Sequence, residues 1–123
     1  GDLNDNPNNG SVKDIMRAKG DSTRLKEGDF YNPMYAMYKK GMGSNAWRDT
    51  WSLFDQVLLS QGLLGKDYRD LKLFKAAIFS ESFLIQKDGR YKGYPWRTFG
   101  GGVWTDGYSD HFPVYVLLVK EAN

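Results

Sequence analysis

Apolar positions recur at helical spacing in the first third of the chain and at extended spacing in the remainder. Ser11 is placed to cap a short helix in which Val12, Ile15 and Met16 share one face, and Gly20 ends it. The polar stretch from Asp21 to Gly28 reads as an exposed connection. Asn32 as N-cap and Pro33 as first helical residue then start a second helix, with Met34, Met37 and Tyr38 as its apolar stripe. Lys39, Lys40 and Gly41 complete the stop signal, and the methionines read as core with no cofactor implied. From Trp47 onward the spacing predicts a strand over Leu53 to Leu59, a turn over Ser60 to Gly65 and a strand around Leu73 to Phe79. Val114 to Val119 is almost continuously apolar, the pattern of a strand buried on both faces of a layered α/β structure.

The region 88–108 breaks both patterns. Gly89, Gly93, Pro95, Gly100, Gly101, Gly102 and Gly107 interleave there with Arg90, Tyr91, Lys92, Tyr94, Trp96, Arg97 and Trp104. It reads as one long loop, and long ordered loops are often functional. One reading makes it a solvated cover whose aromatic residues seal the sheet ends. The other makes it a substrate contact, with Arg90, Lys92 and Arg97 for phosphate and Tyr94, Trp96, Phe99 and Trp104 for a base, sugar or lipid head group.

Composition narrows the picture further. With 123 residues, 41% hydrophobic and 15% aromatic, the chain has enough apolar material for the core of one small domain. A formal charge of +2 gives no field strong enough to collect nucleic acid or anionic membrane indiscriminately, so recognition of a polyanion has to be local. The absence of cysteine excludes disulfides and thiolate metal sites without fixing a compartment. No signal peptide or membrane span is visible. Localisation stays open, with a secreted or periplasmic setting favoured over the cytoplasm.

The chemistry concentrates in three places. His111, the one histidine, stands in Ser109-Asp110-His111, and the chain opens on Gly1-Asp2-Leu3-Asn4-Asp5. Both stretches offer ligands for hard cations near an imidazole. Asp55 lies against the apolar trend of the run from Asp49 to Ser60, and a lone carboxylate in such a run has a fixed partner. Taken singly, Asp2 with Asn4 reads as a loop cap and Asp55 as the cap of a bulge or strand end. Asp49, Thr50 and Trp51 read as structural neighbours. Ser109 is not a serine nucleophile, since no Gly-x-Ser-x-Gly elbow is present and adjacent residues of an extended chain face opposite ways. The Gly100 to Gly102 run opens no predicted helix and reads as a flexible loop, not a nucleotide fingerprint.

In this order the three stretches resemble the endonuclease/exonuclease/phosphatase, or DNase I-like, superfamily, which includes apurinic/apyrimidinic endonucleases, sphingomyelinases and inositol polyphosphate phosphatases. The family's Gly-Asp-Phe/Leu-Asn motif is matched at Asp2 and Asn4, its Asp-containing strand at Asp55, and its closing Ser-Asp-His at Asp110 and His111. The resemblance implies an α/β (α+β) fold, the C-terminal half of a four-layer α/β/β/α sandwich with mainly antiparallel sheet flanked by helices. It also implies a phosphoesterase dependent on Mg²⁺ (or Mn²⁺). Asp2 would orient or deprotonate the attacking water, Asn4 would donate to a phosphoryl oxygen, and Asp110, with Asp2 and Asn4, would help hold the metal. His111 would contact the scissile phosphate, and Asp55 would accept the other ring N–H and fix its tautomer.

The family's N-terminal half, with an Asn, a Glu and a second histidine, has no counterpart in the sequence. The expectation is therefore that 1–123 forms the C-terminal part of the domain, inactive by itself and completed in cis or by another chain. Two further readings stand beside it: a binding module that keeps the fold without catalysis, and a half-domain that assembles with a partner or with itself. Nucleic acid, a lipid head group and a sugar phosphate all remain possible substrates. The near-neutral charge tilts the choice toward a smaller or locally recognised phosphoester. Either end of the chain has to meet the other, with a gap for a phosphoryl group between the opening carboxylate and amide and the imidazole.

Overall fold

Residues 1–122 are described by the computed structural model. Its elements are short. Ala18–Lys19 (β1) pairs in parallel with Phe30–Tyr31 (β2), and Met34–Lys39 forms the helix α1. Asn45–Trp47 (β3) and Thr50–Ser52 (β4) make an antiparallel hairpin. Lys72–Ile78 (β5), Phe99–Gly100 (β6), Val103–Trp104 (β7) and Val114–Val119 (β8) follow, with β5 pairing β8 and β6 pairing β7, both antiparallel. The class is α+β, and antiparallel pairing predominates among the described residues.

The second predicted helix forms, and its ends are built as the sequence implies. The Asn32 side-chain oxygen accepts the Met34 N–H at 3.1 Å, which satisfies one of the donors a helix start leaves free. At the other end Gly41 takes φ +81°, its N–H reaches Tyr38 O at 2.9 Å, and Met42 N–H reaches Met37 O at 3.1 Å. These are the two bonds of a Schellman stop. Met34 is completely buried.

The first predicted helix is cut short. Ser11–Ile15 makes one wide turn whose capping side chain is absent, and Ser11 Oγ donates instead to Asp5. The run ends before Gly20 because Arg17 takes φ +57°, a conformation that stops a helix. Arg17 Nε donates to Asp29 Oδ1 at 2.8 Å, and this tie holds the residue there. Only Val12 of the expected apolar face is buried, while Ile15 is 83% exposed.

No strand runs from Leu53 to Leu59. The segment is extended, but its backbone pairs at two separate points. Near Asp55 it meets the opening of the chain, and at Leu59 it exchanges two hydrogen bonds with Tyr31, at 2.8 and 2.9 Å. Leu53, Gln56 and Leu59 point into the core, so this segment is a spine to which the chain start and β2 are attached.

Two further expectations give way. β8 is not covered on both faces, for Leu117 is 44% and Leu118 36% exposed, and β8 has β5 as its single paired neighbour among the described residues. The region 88–108 is not one irregular loop. Gly101 and Gly102 have φ +59° and +83° and turn β6 back into β7, which makes the glycine run a hairpin turn. Pro95 bridges Ile85, and Trp96 Nε1 donates to Thr105 O at 2.8 Å.

Asn32→Ala should lower unfolding free energy by about 2–3 kcal/mol, since it removes the cap and strands the buried Gln56 carbonyl that Asn32 Nδ2 serves at 2.7 Å. A denaturant titration giving a loss under about 0.5 kcal/mol would contradict this role. Acid should expose a second dependence. The Lys26 N–H, 2.9 Å from Asp29 Oδ2, holds that carboxyl below its ordinary value; burial opposes the effect and Arg17 adds to it. A carboxyl lowered on folding contributes stability above its unfolded pKa of about 3.9, and the contribution disappears as pH falls through the lower folded value. Asp29→Asn should therefore flatten the fall in stability below about pH 4, and an unchanged acid limb would refute the assignment.

Candidate active site

The opening residues lie antiparallel to the spine. Leu3 N–H donates to Phe54 O at 2.8 Å, Gln56 N–H donates to Gly1 O at 3.0 Å, and Asp2 bridges Asp55. Residues directly opposite in an antiparallel pair present their side chains on one face, and like charges so placed repel. A third group relieves this pair. His111 Nδ1 stands 2.7 Å from Asp55 Oδ2 and 4.0 Å from Asp2 Oδ2.

Asp55 has a second fixed donor. Ser44, fully buried ahead of β3, gives its hydroxyl proton to the same Oδ2 at 2.6 Å. Ser44 O accepts the Phe112 N–H at 2.7 Å, and the Phe112 ring stacks on Trp51 with centroids 6.1 Å apart. His111 N–H itself donates to Ser109 Oγ at 3.1 Å. The segment can close this tightly because residue 107 is glycine: a Cβ there would overlap the carbonyl oxygens of Trp96 and Arg97.

A polar network fixes the loop that carries Asp2. Asn4 takes φ +52° and its N–H donates to Asp2 Oδ1 at 2.9 Å, so the turn orients the carboxylate. Asn6 Oδ1 accepts the Leu53 N–H at 2.8 Å, and Gln56 Nε2 donates to Asp5 O at 2.6 Å. Gln56, only 2% exposed, also binds Asn32, which links the loop to the start of α1.

With Nδ1 turned to Asp55, the ring is held with that nitrogen as donor. Nε2 has no hydrogen-bond partner among the described residues, and the side chain is 24% exposed. It is the ring atom left for a ligand. Asp2 Oδ2 lies 4.0 Å from Nδ1, so no phosphoryl group fits between those two atoms, and the Nε2 side is where a ligand can reach the ring.

A model of the endonuclease/exonuclease/phosphatase family matches residues 1–120. The chain belongs to this family. Membership suggests a phosphoester hydrolase. No curated protein and no solved structure gave a match.

Of the residues singled out by resemblance to the endonuclease/exonuclease/phosphatase family, Asp2, Asp55 and His111 come together. Asn4 and Asp110 flank them and are both exposed. Among the described residues no three His, Cys, Asp or Glu side chains gather closely enough to hold a metal ion by themselves. The loop residues separate. Arg90 and Arg97 line a pocket of about 190 Å³ with Tyr91, Tyr94 and the hairpin residues Ala46, Trp47 and Arg48. Lys92 lies along a different shallow groove beside Ile85 and Gln86. Trp96 braces the loop from within, and Trp104 is 60% exposed with its ring edge against Phe99.

Sequence reasoning passed over Ser44, Gln56 and Arg48. Gln56 carried a usable signal, an amide beside a lone carboxylate in an apolar run; Ser44 and Arg48 carried none. The neutral His111 ring should hold its proton on Nδ1, read from ¹⁵N shifts, and Asp55→Ala should move it toward the Nε2 tautomer. An Nε2-protonated ring in the unaltered protein would remove Asp55 as the group that orients it.

Proposed function

We propose that the protein is the C-terminal part of a metal-dependent phosphoesterase domain that hydrolyses a phosphodiester or phosphomonoester. The single observation that carries this reading is the imidazole of His111, bound through Nδ1 to Asp55 with Nε2 free, beside the carboxylate of Asp2. In the proposed mechanism Nε2 meets the scissile phosphate and supplies a proton or a hydrogen bond as negative charge builds on it. Asp55, fixed by Ser44, keeps the ring from turning. Asp2, oriented by the Asn4 amide, accepts from the attacking water or helps align it. Asn4 offers its side-chain amide to a phosphoryl oxygen.

Mg²⁺ or Mn²⁺ fits the donor chemistry of this group in part. Asp2, Asn4 and Asp110 are oxygen donors, and Mg²⁺ characteristically takes one or two carboxylates and keeps several waters. Bound there, the ion would neutralise phosphoryl oxygens and lower the barrier to attack. The remaining carboxylate ligand is proposed to come from the N-terminal half of the domain, joined in cis or as another chain, without which this part is inactive.

Exposed apolar surface supports the half-domain reading. Phe74 on β5 is 67% exposed, and Leu117 and Leu118, adjacent residues that face opposite sides of β8, are also open, so both faces of this pair present apolar surface for cover. No helix among the described residues is long and apolar enough to cross a membrane. Nucleic acid, lipid head groups and sugar phosphates remain the candidate substrates. The small net charge of +2 favours a compact one. A binding module without catalysis is the alternative.

The completed domain with Mg²⁺ or Mn²⁺ should hydrolyse a generic phosphodiester or phosphomonoester, and a chelator should abolish it. Failure across a broad phosphoester panel would favour the binding module. In the completed domain His111→Ala should lower turnover by about 10²- to 10⁴-fold, and an unaltered rate would exclude His111 from the chemistry.

A further inference from the structure

Cationic side chains are distributed over this surface in two different ways. The larger cleft, about 650 Å³, holds Lys13, Arg17, Lys19, Arg24 and Lys26 together with Asp14, Asp21 and Asp29. Its charges mostly cancel. Lys13 and Lys19 each lie 3.8 Å from Asp14, Arg17 lies 2.8 Å from Asp29 and Arg24 lies 3.4 Å from Asp21. The smaller pocket gathers Arg48, Arg90 and Arg97 with no carboxylate in ion-pair reach of any of them among the described residues.

The arginine pocket is also braced. Arg48 and Asp49 turn the β3–β4 hairpin with φ +47° and +63°, a left-handed pair for which glycine and asparagine are the usual residues. Tyr94 holds this turn. Its hydroxyl accepts the Asp49 N–H at 2.7 Å and donates to Asp49 Oδ1, so the nearest carboxylate in sequence to Arg48 is already engaged. That bond raises the Tyr94 phenol above its ordinary value and keeps it protonated. Arg48 lies over the Trp47 ring and Arg90 over Tyr91, each 5.7 Å from the ring centroid. Stacking of this kind steadies a guanidinium and leaves its N–H edge free for a planar or tetrahedral anion.

We propose that this pocket binds a phosphate ester carried on a ring, a phosphate of the substrate other than the one that is cleaved. Three arginines line one pocket without a carboxylate in ion-pair reach, and phosphate matches the forked donors of a guanidinium. The volume suits one phosphate and part of a ring, with Trp47, Tyr91 and Tyr94 supplying apolar walls. The pocket is tied to the candidate active site through aromatic contacts: Tyr94 packs on Trp51 at 5.8 Å, and Trp51 stacks on Phe112, the neighbour of His111. Placing the cleaved phosphate at His111 rests on the hydrolase reading; the occupancy of the pocket does not.

The test titrates the protein, in chelator and at constant ionic strength, with phenyl phosphate, inorganic phosphate and phenol, reading tryptophan fluorescence. Phenyl phosphate should bind best, and Arg90→Ala and Arg97→Ala should each weaken it by about tenfold or more. His111→Ala should leave that affinity unchanged. Circular dichroism of the variants verifies the fold, and Arg90→Lys, which keeps the charge but loses the fork, should recover only part of the affinity. Equal affinity in the arginine variants overturns the site. Inorganic phosphate binding as tightly as phenyl phosphate overturns the ring-borne ligand, and loss of binding in His111→Ala assigns the signal to the other centre and overturns the pocket. None of these readings requires hydrolysis, so a failed phosphoester panel and a failed pocket remain distinguishable.

Discussion

Two carboxylates set opposite one another across a strand pairing, with an imidazole against them, are the constraint around which the molecule is arranged. Asp2 and Asp55 belong to segments more than fifty residues apart, and His111 comes from a third. Their mutual repulsion has to be offset locally, because Asp55 is 18% exposed and has little water to screen it. Ser44 and His111 both reach its Oδ2, and the backbone on either side is shaped to deliver them. The hairpin starts where Ser44 can face Asp55. The closing segment turns at Gly107 so that His111 can follow.

This dependence explains what the sequence could and could not convey. The helix α1 was legible because each of its signals is local: Asn32 caps it and Gly41 ends it within a few residues. The fixed partner of Asp55 was legible in kind, since a carboxylate in an apolar run needs one. The truncation of the first helix was not, because it follows from the contact between Arg17 and Asp29, twelve residues apart. Pairing of the spine at isolated points likewise depends on where the chain start and β2 come to rest. An apolar run read as one strand was in fact divided between two partners. Family motifs named Asp2, Asp55 and His111, whereas Ser44 and Gln56 are uncharged and acquire a role only from the loops that converge on them.

The polar residues under the site form a connected frame. Asn32 serves the helix start with one side-chain atom and Gln56 with the other, and Gln56 in turn holds the Asp5 carbonyl. Helix, spine and opening loop are thereby locked through side chains that are almost wholly buried, and every such polar atom among the described residues is satisfied. The apolar surface is organised the opposite way. Its best-packed members, Met34, Leu53 and Val12, lie beneath this frame, while the β5–β8 pair leaves large side chains in the open. The buried polar bonds gather at the carboxylate and imidazole end, whereas the β5–β8 pair carries exposed apolar side chains.

Pairing of Gly1 with the spine has a practical side. The Gly1 nitrogen donates to Gln56 O at 2.8 Å and its carbonyl accepts from the same residue, so Gly1 is aligned as a strand residue is. Whatever is joined ahead of Gly1, preceding chain or label, leaves the surface beside Asp2 and so next to the imidazole. A label joined beyond Glu121, whose N–H is tied to Tyr68 O at 2.8 Å, would emerge at the end of β8 instead.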